Sequence, residues 1–133
     1  MGKNVLAENK TGIQLVEFIN CNNEDMLINY NITSAFAFIK CDNKFLLGKN
    51  NWREQWEFPA GKINKNETPR EAAIRELYEE THQKVNNLRC VGIFKIFDIK
   101  KKEYRYRSVF YGELSRITPF IHFEEDEMEE VLL

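Results

Sequence analysis

The stretch from Gly61 to Glu80, GKINKNETPREAAIRELYEE, decides how the rest of the chain is read. Within it Glu76, Glu79 and Glu80 stand at i, i+3 and i+4, directly after Arg75. On a helix, at about 100° per residue, the three acids fall within one arc roughly 100° wide. Ala73, Ile74, Leu77, Tyr78 and Thr81 fill the other side. Thr68-Pro69-Arg70-Glu71 supplies the start signal: a capping threonine, a proline at the first helical position and a glutamate that reaches back. These signals predict a helix from Pro69 to Thr81, preceded by a loop from Lys62 to Glu67. Bare, the three acids would repel, since like charges at i,i+4 weaken a helix. A hard divalent cation reverses that sign, because Mg²⁺ takes oxygen ligands and commonly combines carboxylates with substrate phosphates. The competing reading is a solvated acidic face on a structural helix.

The pattern resembles the signature of the Nudix hydrolases, G-x5-E-x7-R-E-U-x-E-E-x-G-U with U aliphatic. Gly61, Glu67, Arg75, Glu76, Leu77, Glu79 and Glu80 occupy its first seven defined positions. With ordinary composition, so many matches at the right intervals arise in roughly one in a million chains of this length. The lead-in Trp56-Glu57-Phe58-Pro59-Ala60-Gly61-Lys62 is similar to the strand and turn that enter this box in the MutT-like branch. Two positions depart from the signature: His82 stands where glycine is usual, and Gln83 where an aliphatic residue is usual. The glycine position follows the helix end, where a left-handed backbone is often needed. A non-glycine residue there costs on the order of 1–2 kcal/mol.

The resemblance implies an α/β fold, a Nudix-like α/β/α sandwich with a mixed β-sheet, in one Nudix domain spanning residues 1–133. It implies metal-dependent hydrolysis of a nucleoside diphosphate linked to another group. The first reading is a nucleoside triphosphate, oxidised or not, cleaved to monophosphate and pyrophosphate. ADP-ribose or another nucleotide sugar is the second substrate class. A non-catalytic nucleotide-binding regulatory module is the third reading, supported by His82, Gln83 and the abrupt C-terminus. The implied cofactor is Mg²⁺ or Mn²⁺, held by Glu76, Glu79 and Glu80 with a backbone carbonyl of Ala60 or Gly61. Arg75 is expected to pair with Glu67 or Glu79 and so hold carboxylates in place. Glu76 is the candidate for orienting or deprotonating water. Relatives often add an acid from a late loop. Six acids crowd the seven residues Glu124 to Glu130, and Glu127 is the choice by its offset from the terminal strand, although a solvated acidic loop explains the run as well.

Substrate contacts are less legible. Lys62, beside the box glycine, is a candidate phosphate contact, and Trp52, in a polar loop, a candidate base-stacking platform. Trp56 is a second candidate platform, but it alternates with Phe58 and is expected in the core. Tyr104-Arg105-Tyr106-Arg107 interleaves aromatic and basic residues as nucleic-acid surfaces do. Alternation on an edge strand explains it equally well, and nucleic acid is not expected as a partner. His82 and His122 are isolated and expected to be structural.

Composition agrees with a soluble globular chain: 133 residues, 43% hydrophobic and 30% charged, with a formal net charge of −2. No apolar run approaches the roughly 20 residues that span a bilayer, and MGKNVLAENK lacks the apolar core of a secretory signal. Cys21, Cys41 and Cys90 form no Cys-x-x-Cys pair, which argues against a disulfide framework or zinc site and for a reducing, cytoplasmic location. Strands are expected at Ile13 to Ile19, Ser34 to Lys40, Phe45 to Lys49, Trp56 to Phe58, Leu88 to Phe97, Tyr104 to Leu114 and Val131 to Leu133. Family members usually continue into a further helix against the sheet. This chain stops on two leucines, so the expectation is a missing or truncated C-terminal helix, or a face covered otherwise, as by a second subunit in a homodimer.

Overall fold

Alternation along the apolar strand at the centre of the sequence sets the architecture. In the computed structural model, which describes residues 5–9, 11–50, 55–117 and 128–132, Ala35, Ala37, Ile39 and Cys41 turn into the core. Phe36 and Phe38, between them, are half-buried on the opposite face. The strand that carries them, β3 (Ile32–Cys41), pairs in parallel with β9 (Glu103–Glu113). All other pairings among the described residues are antiparallel.

The main sheet is thus mixed. Its order runs from β1 (Ala7–Glu8) through β2 (Ile13–Asn20), β8 (Arg89–Asp98), β9 and β3 to β4 (Lys44–Phe45), with β7 (Ala60–Lys62) also pairing β3. A second sheet orders β10 (Met128–Leu132), β5 (Leu47–Asn50) and β6 (Gln55–Glu57). A 3-10 helix, Glu24–Asn29, caps the core with Leu27.

The helix α1 (Pro69–Thr81) has the bounds its capping signals predict. Thr68 accepts from the Glu71 N–H at 3.1 Å, and Glu71 accepts from the Thr68 N–H at 2.9 Å. Ala72, Ala73 and Leu77 are fully buried on α1, which packs against β3 and β7. Burying a leucine of this kind contributes about 1.5–3 kcal/mol. At the far end His82 takes the left-handed backbone expected there, with φ 61° and ψ 19°. Its N–H closes the last turn on the Tyr78 carbonyl at 2.8 Å. Gln83 replaces the usual aliphatic residue and is buried; its amide donates to the Thr81 carbonyl at 3.1 Å.

Several expectations change. The return strand expected at Phe45 to Lys49 divides into β4 and β5, which belong to different sheets. Leu46, fully buried, forms the joint and donates to the Ile39 carbonyl at 2.9 Å. Trp56, expected in the core, is 39% exposed on the three-residue β6. β9, which carries the Tyr104 to Arg107 alternation, is an interior strand between β8 and β3, not an edge. Its Tyr106 packs on the core side against Tyr30, with ring centroids 5.1 Å apart.

Among the described residues α1 is the one α-helix, and the sheet face away from it carries Phe18, Phe36, Phe38 and Phe94 in mutual ring contact. Trp52, His122, Glu127 and its neighbours Glu124 to Asp126 lie outside the described residues. No helix among the described residues is long and apolar enough to cross a membrane. The three cysteines are free thiols, and burial, followed by the neighbouring Cys21, pushes the Cys90 thiol up to about 12.

Candidate active site

The α1 carboxylates meet the sheet at β7. Ala35 lies opposite Gly61, and the flanking bonds run from the Ala37 N–H to Pro59 O (2.9 Å) and from the Ile63 N–H to Thr33 O (3.1 Å). Hydrogen-bonded pairs alternate along an antiparallel ladder, so Ala35 and Gly61 are such a pair and Gly61 spends its carbonyl on β3. Ala60 is then turned outward. Its N–H donates to Glu80 Oε2 at 2.9 Å, and its carbonyl points off the same edge. Of Ala60 and Gly61, it is Ala60 whose backbone faces outward.

Gly61 matters for its missing side chain. A Cβ built there would overlap the Glu76 carboxylate itself. Glycine therefore lets Glu76 press its oxygens against β7, beside the outward edge of Ala60.

Arg75 organises the remaining acids. It grips Glu67 with a two-pronged fork, Nε to Oε2 at 2.7 Å and Nη2 to Oε1 at 3.0 Å. Its Nη1 reaches Glu76 Oε1 at 2.7 Å and Glu79 Oε2 at 3.2 Å, and Nη2 also reaches the Lys62 carbonyl at 2.9 Å. The sequence offered Glu67 or Glu79 as the partner of Arg75; both are, and Glu76 as well. The acids are therefore not the bare cluster that helical spacing suggests. Glu79 is the outermost of those around Arg75, with a side chain 55% exposed against 16% for Glu76.

The hydrogen bond from Arg75 holds the Glu67 carboxyl below its ordinary value of 4.5, against burial and with help from the Asn64 N–H. The hydrogen bond to Glu67 in turn raises Arg75, against burial and with Glu76 adding to it. A depressed carboxyl contributes stability above its unfolded value that is lost as pH falls through its folded value. Thermal melts between pH 7 and 3 are expected to show the wild type losing melting temperature more steeply below about pH 4.5 than Glu67→Gln does. Parallel curves would mean that the fork carries no stability.

The donor set suits a hard cation. Glu67, Glu76 and Glu79 gather around the guanidinium of Arg75, and Glu80 meets the β7 edge at the Ala60 N–H. Among the described residues no three acidic, histidine or cysteine side chains come close enough together to enclose an ion by themselves. Mg²⁺ does not need that: one or two carboxylates, waters and substrate phosphates complete its shell. Lys62 is exposed and leaves β7 on the face opposite Glu76. Sequence reasoning missed the contact of Arg75 with Glu76, because adjacent residues on a helix do not normally face each other.

Known proteins resemble this chain in sequence and in fold. An RNA pyrophosphohydrolase of Hydrogenovibrio crunogenus is 30% identical over 82 residues, 59% of this chain and 50% of that protein. The human diphosphoinositol polyphosphate phosphohydrolase 2 is 37% identical over 65 residues, 49% of this chain and 36% of that protein. This chain thus spans half or less of the length of these relatives. The crystal structure of a Bacillus subtilis pyrophosphohydrolase, in a mutant form, superposes with a TM-score of 0.69 over 95% of this chain and 74% of that one, at 19% identity. That likeness establishes the mixed-sheet sandwich fold. Residues 31–132 match the sequence model of the NUDIX domain, and with most of its length inside that match the chain belongs to the NUDIX family.

Proposed function

We propose that the chain is a divalent-metal-dependent pyrophosphohydrolase that cleaves a phosphoric anhydride bond in a nucleotide, in the first instance a nucleoside triphosphate to its monophosphate and pyrophosphate. The observation that carries the reading is the convergence of Glu76 and Glu80 on the outward edge of β7, where Gly61 makes room and Ala60 turns out its backbone. Glu76, Glu80 and the Ala60 carbonyl would hold the ion, with Glu79 as a further, more exposed donor. A bound Mg²⁺ or Mn²⁺ supplies positive charge to phosphate oxygens and acidifies water.

The protein's own residues do the rest. Arg75 and Glu67 fix the loop Lys62 to Glu67 to α1, so that carboxylate positions are set before substrate arrives. Glu76 orients the attacking water and takes its proton. Glu127 and Trp52 keep the roles their positions in the sequence suggest, a further acid and a stacking surface. In-line displacement at phosphorus asks the protein for positioning and charge neutralisation above all.

A panel of nucleoside triphosphates, oxidised triphosphates and ADP-ribose tests the reading, with Mg²⁺, with Mn²⁺ and with chelator. Metal-dependent turnover of at least one compound is expected. Nucleotide binding with no turnover of any would favour the regulatory module, to which the pairing of Arg75 with Glu76 and Glu79 lends support.

A further inference from the structure

On the sheet face away from α1, the strand registers set a row of side chains beside the candidate site. Phe18 lies opposite Phe94, Phe94 opposite Arg107, Arg107 beside Ser34, and Ser34 opposite Lys62. The row runs from two aromatic rings, 5.6 Å apart, to the residue that follows Gly61. Arg105, two positions earlier on β9, points to the same side. Arg105, Arg107, Ser34 and Lys62, with Phe36 and Ala60, line a cavity of about 290 Å³.

The charge of this cavity is one-sided. Arg105 donates through Nη2 to Asp98 at 2.7 Å, while its buried Nε, 3.9 Å from Glu103 Oε1, lacks a hydrogen-bond partner. The buried hydroxyl oxygen of Ser34 also lacks one. Arg107, partly buried, has no carboxylate partner among the described residues. Burial, and then the like charge of Arg105, pull Arg107 below the ordinary arginine value. Two neighbouring guanidiniums repel unless an anion lies between them, and buried donors are normally satisfied. A phosphate meets both demands, because its oxygens accept paired N–H bonds from the guanidinium fork.

We propose that Arg107 and Arg105, with Ser34 and Lys62, form a subsite for the phosphate beyond the pair held at the β7 edge, so that the substrate class is a 5′-triphosphate and not a sugar-linked diphosphate. The inference rests on the pyrophosphohydrolase reading and decides between its two substrate classes. The negative edge of β7 holds the cation; the positive cavity across the same strand holds the additional anion.

The decisive measurement is calorimetric titration with inorganic tripolyphosphate and pyrophosphate in chelator, where no metal-dependent step intervenes. Wild type is expected to bind tripolyphosphate more tightly than pyrophosphate. Arg107→Gln is expected to weaken tripolyphosphate by about 10-fold or more, the usual scale for a charge-assisted hydrogen bond, and pyrophosphate with it, because without a cation the acidic edge of β7 repels phosphate. Arg107→Lys keeps the charge and the fold and is expected to recover part of the loss. Equal affinity of wild type and Arg107→Gln for tripolyphosphate overturns the subsite. In turnover, Arg107→Gln is expected to raise KM for triphosphates about 10-fold. A free nucleoside triphosphate and a 5′-triphosphorylated oligonucleotide in that assay distinguish the two sources of the group. If no nucleotide turns over, the pyrophosphohydrolase reading fails while the titration still decides the cavity.

Discussion

Glu76→Gln is expected to lower kcat by about 10³-fold with Mg²⁺ present, the upper end of what one electrostatic contributor to a transition state supplies. The amide keeps the shape of the side chain and removes its charge and its basicity. Both proposed roles of Glu76, holding the ion and taking a proton from water, are lost together. The fold should survive, since Arg75 retains its fork on Glu67 and its bond to Lys62 O. Thermal melts with and without Mg²⁺ separate the two roles. An ion that binds only the folded state raises wild-type stability by about 2.7 kcal/mol at a hundred times its dissociation constant. If Glu76→Gln keeps that gain and loses only kcat, the residue acts on water and not on the ion. Full turnover by the variant would remove Glu76 from the chemistry.

The second large effect comes from a residue with no functional group. In Gly61→Ala, the new methyl would occupy the space of the Glu76 carboxylate. The backbone at Gly61 is ordinary strand, so nothing about its torsions resists alanine. The atoms it meets are the far end of a flexible side chain, which can swing aside at little cost. The fold is therefore expected to hold, with a melting temperature close to wild type. Activity is not, because a displacement of about 1 Å in a catalytic group can cost on the order of 100-fold in rate. A kcat down by about that factor in a protein that melts normally is the expected pair of results. Wild-type kcat would mean that Glu76 works from a different rotamer than the one pressed against β7.

The helix and its caps were legible because their signals are local: Thr68, Pro69 and Glu71 act within one turn, and His82 takes the left-handed backbone where glycine is usual. The apolar run of β3 likewise announced an interior strand, since a strand covered on both faces needs no polar alternation. Long-range choices were harder. Nothing in Phe45 to Lys49 says that the chain leaves one sheet at Leu46 and enters another; that depends on where β10 and β6 lie. Trp56 read as core because it alternates with Phe58, yet a three-residue strand in the smaller sheet leaves it 39% exposed.

At the site, the box fixed which acids are near one another but not how they are neutralised. That Arg75 reaches Glu67 and the Lys62 carbonyl depends on the path of the Lys62 to Glu67 loop. The choice of Ala60 over Gly61 as outward-facing backbone required the ladder register of β3 and β7, which no sequence pattern encodes. The Tyr104 to Arg107 alternation fitted an edge strand, and β9 instead lies inside the sheet between β8 and β3.

The parallel contact between β3 and β9 also governs the order of events when the chain folds. β8 and β9 can zip as a hairpin across four residues, and β3 can gather β4 and β7 nearby, but the two groups join only through partners more than 70 positions apart. Closing so long a span costs chain entropy that no local turn repays, which makes such a contact slow to form. Since α1 rests on β3 and β7 while Arg105 and Arg107 ride on β9, the acidic edge and the basic cavity can become neighbours only after that late closure.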